Sequence, residues 1–242
     1  MRPALTMLFL LAAAGGAWAD DAQIRQAIEG RFGVKVSGVQ PSPIPGLFEV
    51  SVQSDDGPQI LYSDAQGNSI VVGGQIVDVK TKRNITQERL QKLSAIPFDA
   101  LPLDLAVKVQ RGNGKRVLVM FSDPYCPYCK EFEKTLQAID DITVYVFMYP
   151  VIRPELADHS KAVWCSPDRS KAWLDLALRG RQPAASATCD APIAKLLELG
   201  GKLRVRSTPT LFLANGERLS GGMSVDRLRA TLDDPAHAAK AK

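Results

Sequence analysis

The sequence FSDPYCPYCK at residues 121–130 places two cysteines, Cys126 and Cys129, three residues apart. An apolar run, VLVMF at 117–121, leads into it, and apolar residues at helical spacing follow it. This order predicts a strand, a turn and a helix whose first turn carries both thiols, with Pro127 where a missing N–H costs nothing. Because unpaired N–H groups at a helix N-terminus stabilise a thiolate, we interpret the segment as a redox-active dithiol.

The first 19 residues have the pattern of a secretory signal peptide. Arg2 supplies the basic start, residues 5–14 are apolar, and AWA at 17–19 is a cleavage site with small residues at its ends. An uncleaved membrane anchor is the weaker interpretation, because the apolar run is too short to span a bilayer. We therefore predict that the mature chain is exported and works outside the cytoplasm.

Composition and length exclude one function class and favour two domains. The formal net charge is +4, and the 30 Lys and Arg residues are interspersed with 26 Asp and Glu residues, without a long basic block. Nucleic acid is therefore not expected as the main partner. The 242 residues exceed the length of a typical single domain, which favours two.

The four cysteines form an even set, which suggests disulfide pairing in an exported chain. Cys126 and Cys129 are the close pair, and Cys165 and Cys189 are most simply a structural bridge. Closing that loop is worth about 3–4 kcal/mol in the chain-entropy model. A zinc site made of all four is disfavoured, since the distant pair lacks close ligand spacing and an oxidising compartment favours disulfides. We expect no metal and no cofactor.

Residues 20–80 are predicted to form a small module of one helix and several short strands. The helix is expected over 21–32, where apolar residues recur at helical spacing. Short segments of alternating pattern, separated by turn residues, predict four strands, at 48–52, 60–62, 69–72 and 75–79. Such a module buries little surface alone, so either oligomerisation or packing against the second domain is required.

The segment 81–97 is polar and is predicted to be a linker helix. Asn84 or Thr86 can cap its start, and Pro97 stops it. Asn84-Ile85-Thr86 also matches a glycosylation sequon, but a helix cap is the favoured interpretation. Its few apolar positions indicate a spacer with one narrow packed edge.

From residue 98 onward, strands and helices alternate. The strands are predicted at 105–109, 117–121 and 142–148, with a later hairpin that turns at Asn215-Gly216. The helices are predicted at 126–139 and 224–232, with a mostly helical insertion over 154–199. This order is typical of a thioredoxin-like α+β layout.

Several motifs together resemble the periplasmic disulfide isomerases of the DsbC and DsbG type, along essentially the whole mature chain. The dithiol segment matches the family's active site. Four further stretches resemble its dimerisation domain, its second disulfide and its cis-proline loop: VQPSP at 39–43 with the hairpin at Gly73-Gly74, AVWC at 162–165, TCD at 188–190, and STPT at 207–210. The resemblance implies an α+β protein with a cystatin-like dimerisation domain (20–80), the linker helix (81–97) and a thioredoxin-like catalytic domain with a helical insertion (98–242).

The resemblance also implies roles for individual residues and partners. Cys126 and Cys129 would be catalytic, and Cys165 with Cys189 would form the structural disulfide. Three residues would contact substrate: Thr208, Pro209 and Tyr128. The expected partners are misoxidised or unfolded exported proteins, a second copy of the chain and a membrane thiol reductase of the DsbD type, and the expected compartment is the periplasm.

The chain departs from both branches of that family. The dipeptide Pro127-Tyr128 between the cysteines is DsbG-like, because DsbC-like proteins typically have Gly-Tyr, whereas the second disulfide is DsbC-like. Thioredoxins keep a buried Asp six residues before the first cysteine, and Met120 stands there. Neither His159 nor His237 replaces it, since both lie in polar segments and are interpreted as surface residues.

Four functions remain open on the sequence alone. Disulfide isomerisation leads, because the signal peptide, the dithiol and a dimerisation module occur together. A DsbG-like reductase of sulfenylated cysteines would use the same dithiol. A net disulfide oxidase is disfavoured by the N-terminal module. A chaperone-like binding module, with an apolar cleft between two protomers, belongs to a different class.

Overall fold

The computed structural model describes residues 16–55 and 57–237. The chain divides into two compact units, Met1–Leu90 and Gln91–Lys242. No helix in the described ranges is long and apolar enough to cross a membrane. Most of the predicted signal peptide, residues 1–15, lies outside those ranges, as do the last five residues of the chain.

The first unit packs one helix on a four-stranded antiparallel sheet. Helix α1 spans Gly16–Phe32 and so begins before the predicted cleavage point at Ala19. The strands follow one another in the sheet in chain order: β1 (Lys35–Pro41), β2 (Leu47–Ser54), β3 (Gly57–Asp64) and β4 (Ile70–Val72). Ile24 and Ile28 of α1 pack in one apolar core with Val50 and Val52 of β2.

The observed strands differ from the predicted ones at two places. The sequence pattern misses β1, because a bulge between Val36 and Gly38 shifts its register against β2 and interrupts the alternation. The predicted strand at 75–79 is wrong: this segment makes a single bridge, from Val77 to Asn84. Asp78 ends it, since its carboxylate accepts the Lys80 and Thr81 N–H groups at 2.9 and 2.8 Å and turns the chain.

Helix α2 covers Ile85–Leu93, a shorter span than the predicted 81–97. The Asn84 side chain accepts the Gln87 N–H at 2.9 Å, which is the contact of a helix cap. Thr86 lies inside the helix and is buried, and its hydroxyl accepts the Ile76 N–H at 2.8 Å. The residues before Asn84 belong to the Asp78 turn, and this shortens the helix at its start.

The second unit is built on a five-stranded sheet with the order β5-β7-β6-β8-β9. Its strands are β5 (Val107–Arg111), β6 (Arg116–Ser122), β7 (Ile142–Met148), β8 (Thr210–Leu213) and β9 (Arg218–Ser220). Strands β6 and β7 are parallel, with a helix between them in the chain, and the other pairs are antiparallel. This mixture of pairings confirms the α+β prediction.

Five α-helices accompany this sheet: α3 (Pro127–Gln137), α4 (Ala157–Cys165), α5 (Arg169–Arg179), α6 (Ile193–Lys202) and α7 (Val225–Asp233). Short 3-10 turns lie at Phe98–Ala100, Leu103–Leu105, Pro154–Leu156 and Pro235–His237. The predicted insertion at 154–199 contains α4, α5 and most of α6. Gly180, at a φ of 65°, ends α5 in the left-handed conformation and starts a non-helical stretch.

Strand β6 lies at the centre of the sheet and is buried on both faces. Alternate side chains of a strand point to opposite faces. Leu118 and Met120 pack in an apolar cluster with α3 and α5, whereas Val119 and Phe121 pack in a second cluster with α6. Met120 is therefore a core residue. This burial fixes the strand that leads into the dithiol.

Candidate active site

Cys126 is the N-cap of α3, the residue that precedes its first turn. Its N–H donates to the carbonyl oxygen of Asp123 at 3.1 Å, and its own carbonyl oxygen accepts the Lys130 N–H at 3.1 Å. Pro127 occupies the first turn. Cys129 follows one turn into the helix, and both cysteines are unbridged and buried. The dithiol therefore lies at the positive end of α3, as the sequence predicts.

A cis peptide bond between Thr208 and Pro209 lies against the first cysteine. The Cys126 Sγ donates to the Thr208 carbonyl oxygen at 3.4 Å. The Pro209 carbonyl oxygen in turn accepts the Gly221 N–H at 3.0 Å, which ties the loop to the end of the β8–β9 hairpin. The structure thus brings together two motifs that stand more than 80 residues apart in the chain.

The two thiols have different surroundings. Burial raises the pKa of Cys129 to about 12. The nearby polar groups of the Ser122 side chain, the Asp123 backbone and the Thr208 side chain oppose this rise in the pKa, and the neighbouring Cys126 adds to it. At neutral pH, Cys129 therefore remains protonated, whereas Cys126 lies at the N-cap of α3.

Asp123 holds the turn before the dithiol, a role that the sequence analysis missed. Its carboxylate is fully buried and accepts three backbone N–H groups, from Tyr125 at 2.7 Å, Val151 at 2.8 Å and Ile152 at 2.7 Å. These bonds connect the active-site turn to the segment after β7. An Asp directly before a Pro often forms such a turn, so the Asp123-Pro124 pair could have predicted this role.

The Tyr125 side chain connects the same turn to the helical insertion. Its hydroxyl is hydrogen-bonded to His159 Nδ1 at the start of α4, and the two ring centroids lie 5.8 Å apart. His159 is half-buried here, so it is a partly exposed residue with a specific partner. His237 has a different partner, with its Nε2 3.2 Å from Glu217 Oε2.

The two other aromatic residues of the segment differ in exposure. Tyr128 is 74 % exposed and borders a groove of about 350 Å³ that is also lined by Phe132, Met223 and Gly222. Tyr149 is a core residue: its ring packs edge-on against Phe121 at 5.6 Å. Of these two tyrosines, only Tyr128 exposes its ring to solvent.

Glu133 is a carboxyl buried in the apolar core, one turn beyond Cys129 on the same helix face. Its Oε1 accepts the Trp173 indole N–H at 2.7 Å, which joins α3 to α5. Burial raises the pKa of Glu133 to about 7, against the indole hydrogen bond and the attraction of Arg111. The helical spacing of Cys129, Phe132 and Leu136 around it was the signal that this residue faces the core.

Because Glu133 is a buried carboxyl, we expect the second unit to lose stability as the pH rises. Because the pKa is higher in the folded state, the folded state keeps its proton between about pH 4.5 and 7 while the unfolded state releases it. Glu133→Gln removes that linkage and keeps an acceptor for Trp173. We compare the free energy of unfolding of the variant with that of the parent at each pH. The difference, variant minus parent, should be roughly 3 kcal/mol larger at pH 8 than at pH 4.

Urea titrations followed by tryptophan fluorescence at both pH values measure this difference. Glu131→Gln is the matched control, since Glu131 lies on the same helix and its side chain is 72 % exposed. If the free energies of unfolding of the parent and of Glu133→Gln change with pH in the same way, the expectation is contradicted.

The distant cysteines form the second disulfide. Cys165, at the end of α4, is bonded to Cys189, with their Cα atoms 5.7 Å apart. The bond secures the non-helical stretch between α5 and α6, and it removes both thiols from any four-cysteine metal site. Among residues 16–55 and 57–237, no group of three or more His, Cys, Asp or Glu side chains is arranged to hold a metal ion.

Comparison with known proteins extends this picture to both units. Residues 103–236 match the thioredoxin-like domain family, and residues 15–87 match the family of disulfide bond isomerase protein N-terminal domains. The probable thiol:disulfide interchange protein DsbC of Bordetella parapertussis is 43 % identical over 210 residues, which cover 86 % of this chain and 73 % of that protein.

Two further relatives agree. DsbC of Escherichia coli K12 is 32 % identical over 235 residues, which cover 94 % of each chain. A crystal structure of a disulfide interchange protein from Neisseria gonorrhoeae is 38 % identical, with a TM-score of 0.54, and covers 57 % of this chain and 99 % of its own. With matches to both units and a dithiol at the start of α3, the chain belongs to the DsbC family of thiol:disulfide interchange enzymes.

Proposed function

We propose that the protein is a periplasmic disulfide isomerase that rearranges non-native disulfides in exported proteins, with Cys126 as the nucleophile. The observation that carries this proposal is the asymmetry of the dithiol. Cys126 caps α3 beside the cis-Pro209 loop, whereas the Cys129 thiol is kept protonated by burial. A dithiol of this kind attacks through one sulfur and holds the other in reserve.

The reaction follows from this asymmetry. The Cys126 thiolate attacks one sulfur of a substrate disulfide, so that a mixed disulfide forms and a substrate thiolate leaves. When another substrate thiolate attacks the mixed disulfide, Cys126 leaves as a thiolate and the substrate bond has moved. When none arrives, Cys129 attacks Cys126 and the protein departs oxidised. Re-reduction then requires an external thiol donor, for which a membrane reductase of the DsbD type is the expected partner.

Substrate contact is assigned to Thr208, Pro209 and Tyr128. The cis-proline loop presents backbone beside Cys126, which suits strand-like pairing with an extended peptide. The exposed Tyr128 ring and its groove suit an apolar side chain of that peptide.

We assign homodimerisation to residues 20–80. Strand β4 is the edge of its sheet and exposes Val71 and Val72 by 49 % and 66 %, which suits pairing with a second copy. Val72→Lys is expected to raise the dimer dissociation constant by about tenfold or more, measured by light scattering of the full chain. Ile44→Lys is the control, since Ile44 is 48 % exposed but lies outside β4. A monomeric parent protein contradicts the assignment.

The experiment that tests the isomerase proposal is refolding of a scrambled multi-disulfide protein. The reduced protein should accelerate recovery of the native substrate in catalytic amount. Oxidation of a fully reduced substrate without rearrangement of a scrambled one sinks the proposal and favours a net oxidase.

A second candidate function is reduction of sulfenylated cysteines, which the DsbG-like dipeptide Pro127-Tyr128 favours. Cys126 would attack the sulfur of a Cys–SOH group and release water, and Cys129 would then release the reduced substrate thiol. A single-cysteine substrate oxidised to sulfenic acid distinguishes the two functions, because it offers nothing to isomerise.

A further inference from the structure

Two buried hydroxyl groups beside the dithiol have no hydrogen-bond partner. Ser122 Oγ and Thr208 Oγ1 are both enclosed by protein, and neither makes a hydrogen bond in the resting state. Ser122 is fully buried at the end of β6, and Thr208 is 8 % exposed in the cis-proline loop. An unpaired buried hydroxyl is unfavourable, so two of them beside one site require an explanation.

Both side chains act on the same buried thiol, that of Cys129. The side chains of Ser122 and Thr208 both interact with the Cys129 sulfur, as does the Asp123 backbone, and all three favour its thiolate over its thiol. The donors come from three places in the fold: the end of β6, the turn after it and the cis-proline loop. They form a partial shell around the second cysteine, which we call the Cys129 pocket.

Cys129 needs such assistance if it is to act as the resolving thiol. Its sulfur is buried and its thiol is held protonated, yet resolution of a mixed disulfide requires the thiolate. The position where thioredoxins place a carboxylate is occupied by Met120, a core residue. The Asp123 carboxylate is already bonded to three backbone N–H groups.

We propose that Ser122 is a catalytic residue of the resolution step, whose hydroxyl, together with that of Thr208, donates a hydrogen bond to the Cys129 thiolate as it forms. The thiol proton passes to water, and the Cys129 sulfur attacks the Cys126 sulfur. The Cys129–Cys126 bond forms while the bond from Cys126 to the substrate breaks. The electron pair leaves on the substrate sulfur, which takes a proton from water. The inference rests on the proposed function only in its use of Cys129 as the resolving thiol.

The expected effect follows from two opposing trends. Loss of one charge-assisted hydrogen bond raises the thiol pKa and lowers the thiolate fraction, by roughly ten- to a hundredfold. The remaining thiolate is more nucleophilic, with a Brønsted coefficient of about 0.4–0.5, which offsets about half of that loss on a logarithmic scale. Ser122→Ala should therefore slow resolution by about three- to tenfold.

Stopped-flow reaction of the reduced protein with 5,5′-dithiobis(2-nitrobenzoate) measures this step. Attack by Cys126 releases a first coloured thiolate and leaves a mixed disulfide, and attack by Cys129 then releases a second. Ser122→Ala should slow the second phase and leave the first unchanged, and Thr208→Val should slow the second phase more than the first. Ser160→Ala is the matched control, since Ser160 Oγ is also buried without a partner but lies on α4.

The outcomes separate the possibilities. An unchanged second phase in Ser122→Ala overturns the proposal, and so does an equal loss in both phases, because that marks a general distortion of the site. The chemical probe contains no exported protein, so a failure here differs from a failure of the isomerase assignment. Alkylation of Cys129 in a Cys126→Ser background gives a second reading: Ser122→Ala should shift its pH profile to higher pH, and an unshifted profile contradicts the role.

Discussion

Replacing Cys126 with Ser is expected to reduce the rate of disulfide rearrangement to the uncatalysed background, a loss of roughly a thousandfold or more. A serine hydroxyl carries almost no negative charge at neutral pH, so no nucleophile remains at the N-cap of α3. The variant keeps the shape of the site, because the backbone bonds of residue 126 to Asp123 and Lys130 do not involve the sulfur. Recovery of ribonuclease activity from a scrambled preparation in glutathione buffer measures the loss.

Cys129→Ser is the informative companion to that variant. It retains Cys126, so it should still attack substrate disulfides, but it lacks the resolving thiol. Mixed disulfides between protein and substrate should therefore accumulate and appear as reducible high-mass species on gels. Cys126→Ser should show none. If Cys126→Ser kept its full activity, the protein would act by passive binding and not by thiol exchange.

Removing the second disulfide with the double variant Cys165→Ala, Cys189→Ala is expected to lower the free energy of unfolding by about 3–4 kcal/mol. The bond closes a loop with a sequence separation of 24 residues, which restricts the unfolded chain. In the folded chain it fixes the non-helical stretch after Gly180. Urea titration of the catalytic unit's tryptophan fluorescence, at constant pH, measures the change.

Thiol chemistry should survive this change at temperatures where the variant remains folded. The dithiol is held by β6, α3 and the cis-proline loop, none of which contains Cys165 or Cys189. The same two-phase reaction with a chromogenic disulfide serves as the control for an intact site. A loss of unfolding free energy below about 1 kcal/mol contradicts the stabilising role.

The sequence predicts what depends on neighbouring residues. Cys126 at the helix start, Pro127 in the first turn and the strand before them follow from local pattern, and the structure has all three. The cis bond before Pro209 was predicted through the family resemblance, with support from the strand and hairpin after it. These features decide the thioredoxin-like fold and one half of the site.

The sequence pattern could not predict contacts between residues that are distant in the chain. His159 lies in a polar segment, and only the packing of α4 beside the active-site turn brings it to Tyr125. Glu133 is of a residue type that is usually exposed, but its helix face is buried against α5. Ser122 looks like an ordinary strand end until the fold places Cys129 beside it. Tertiary packing decides each of these contacts. For Glu133 the helical spacing indicates the buried face, but no local pattern identifies Trp173 as its partner.

Strand boundaries failed for a related reason. The alternation at 75–79 predicts a strand, but Gly73, with a φ of 71°, and the Asp78 turn leave this segment only one bridge to another part of the chain. Conversely, β1 pairs with β2 on both sides of the bulge at Val36–Gly38, although the bulge disrupts its sequence pattern. A strand exists where a partner is available, and partners are set by the whole sheet.

The redox state of the four cysteines in the cell tests the central claim most directly. Cells are quenched in acid, free thiols are alkylated, and the modified peptides are identified by mass spectrometry. The account predicts that Cys126 and Cys129 are alkylated as reduced thiols, whereas Cys165 and Cys189 are recovered as a bridged pair. A dithiol found mostly as a Cys126–Cys129 disulfide contradicts the isomerase and identifies a net oxidase.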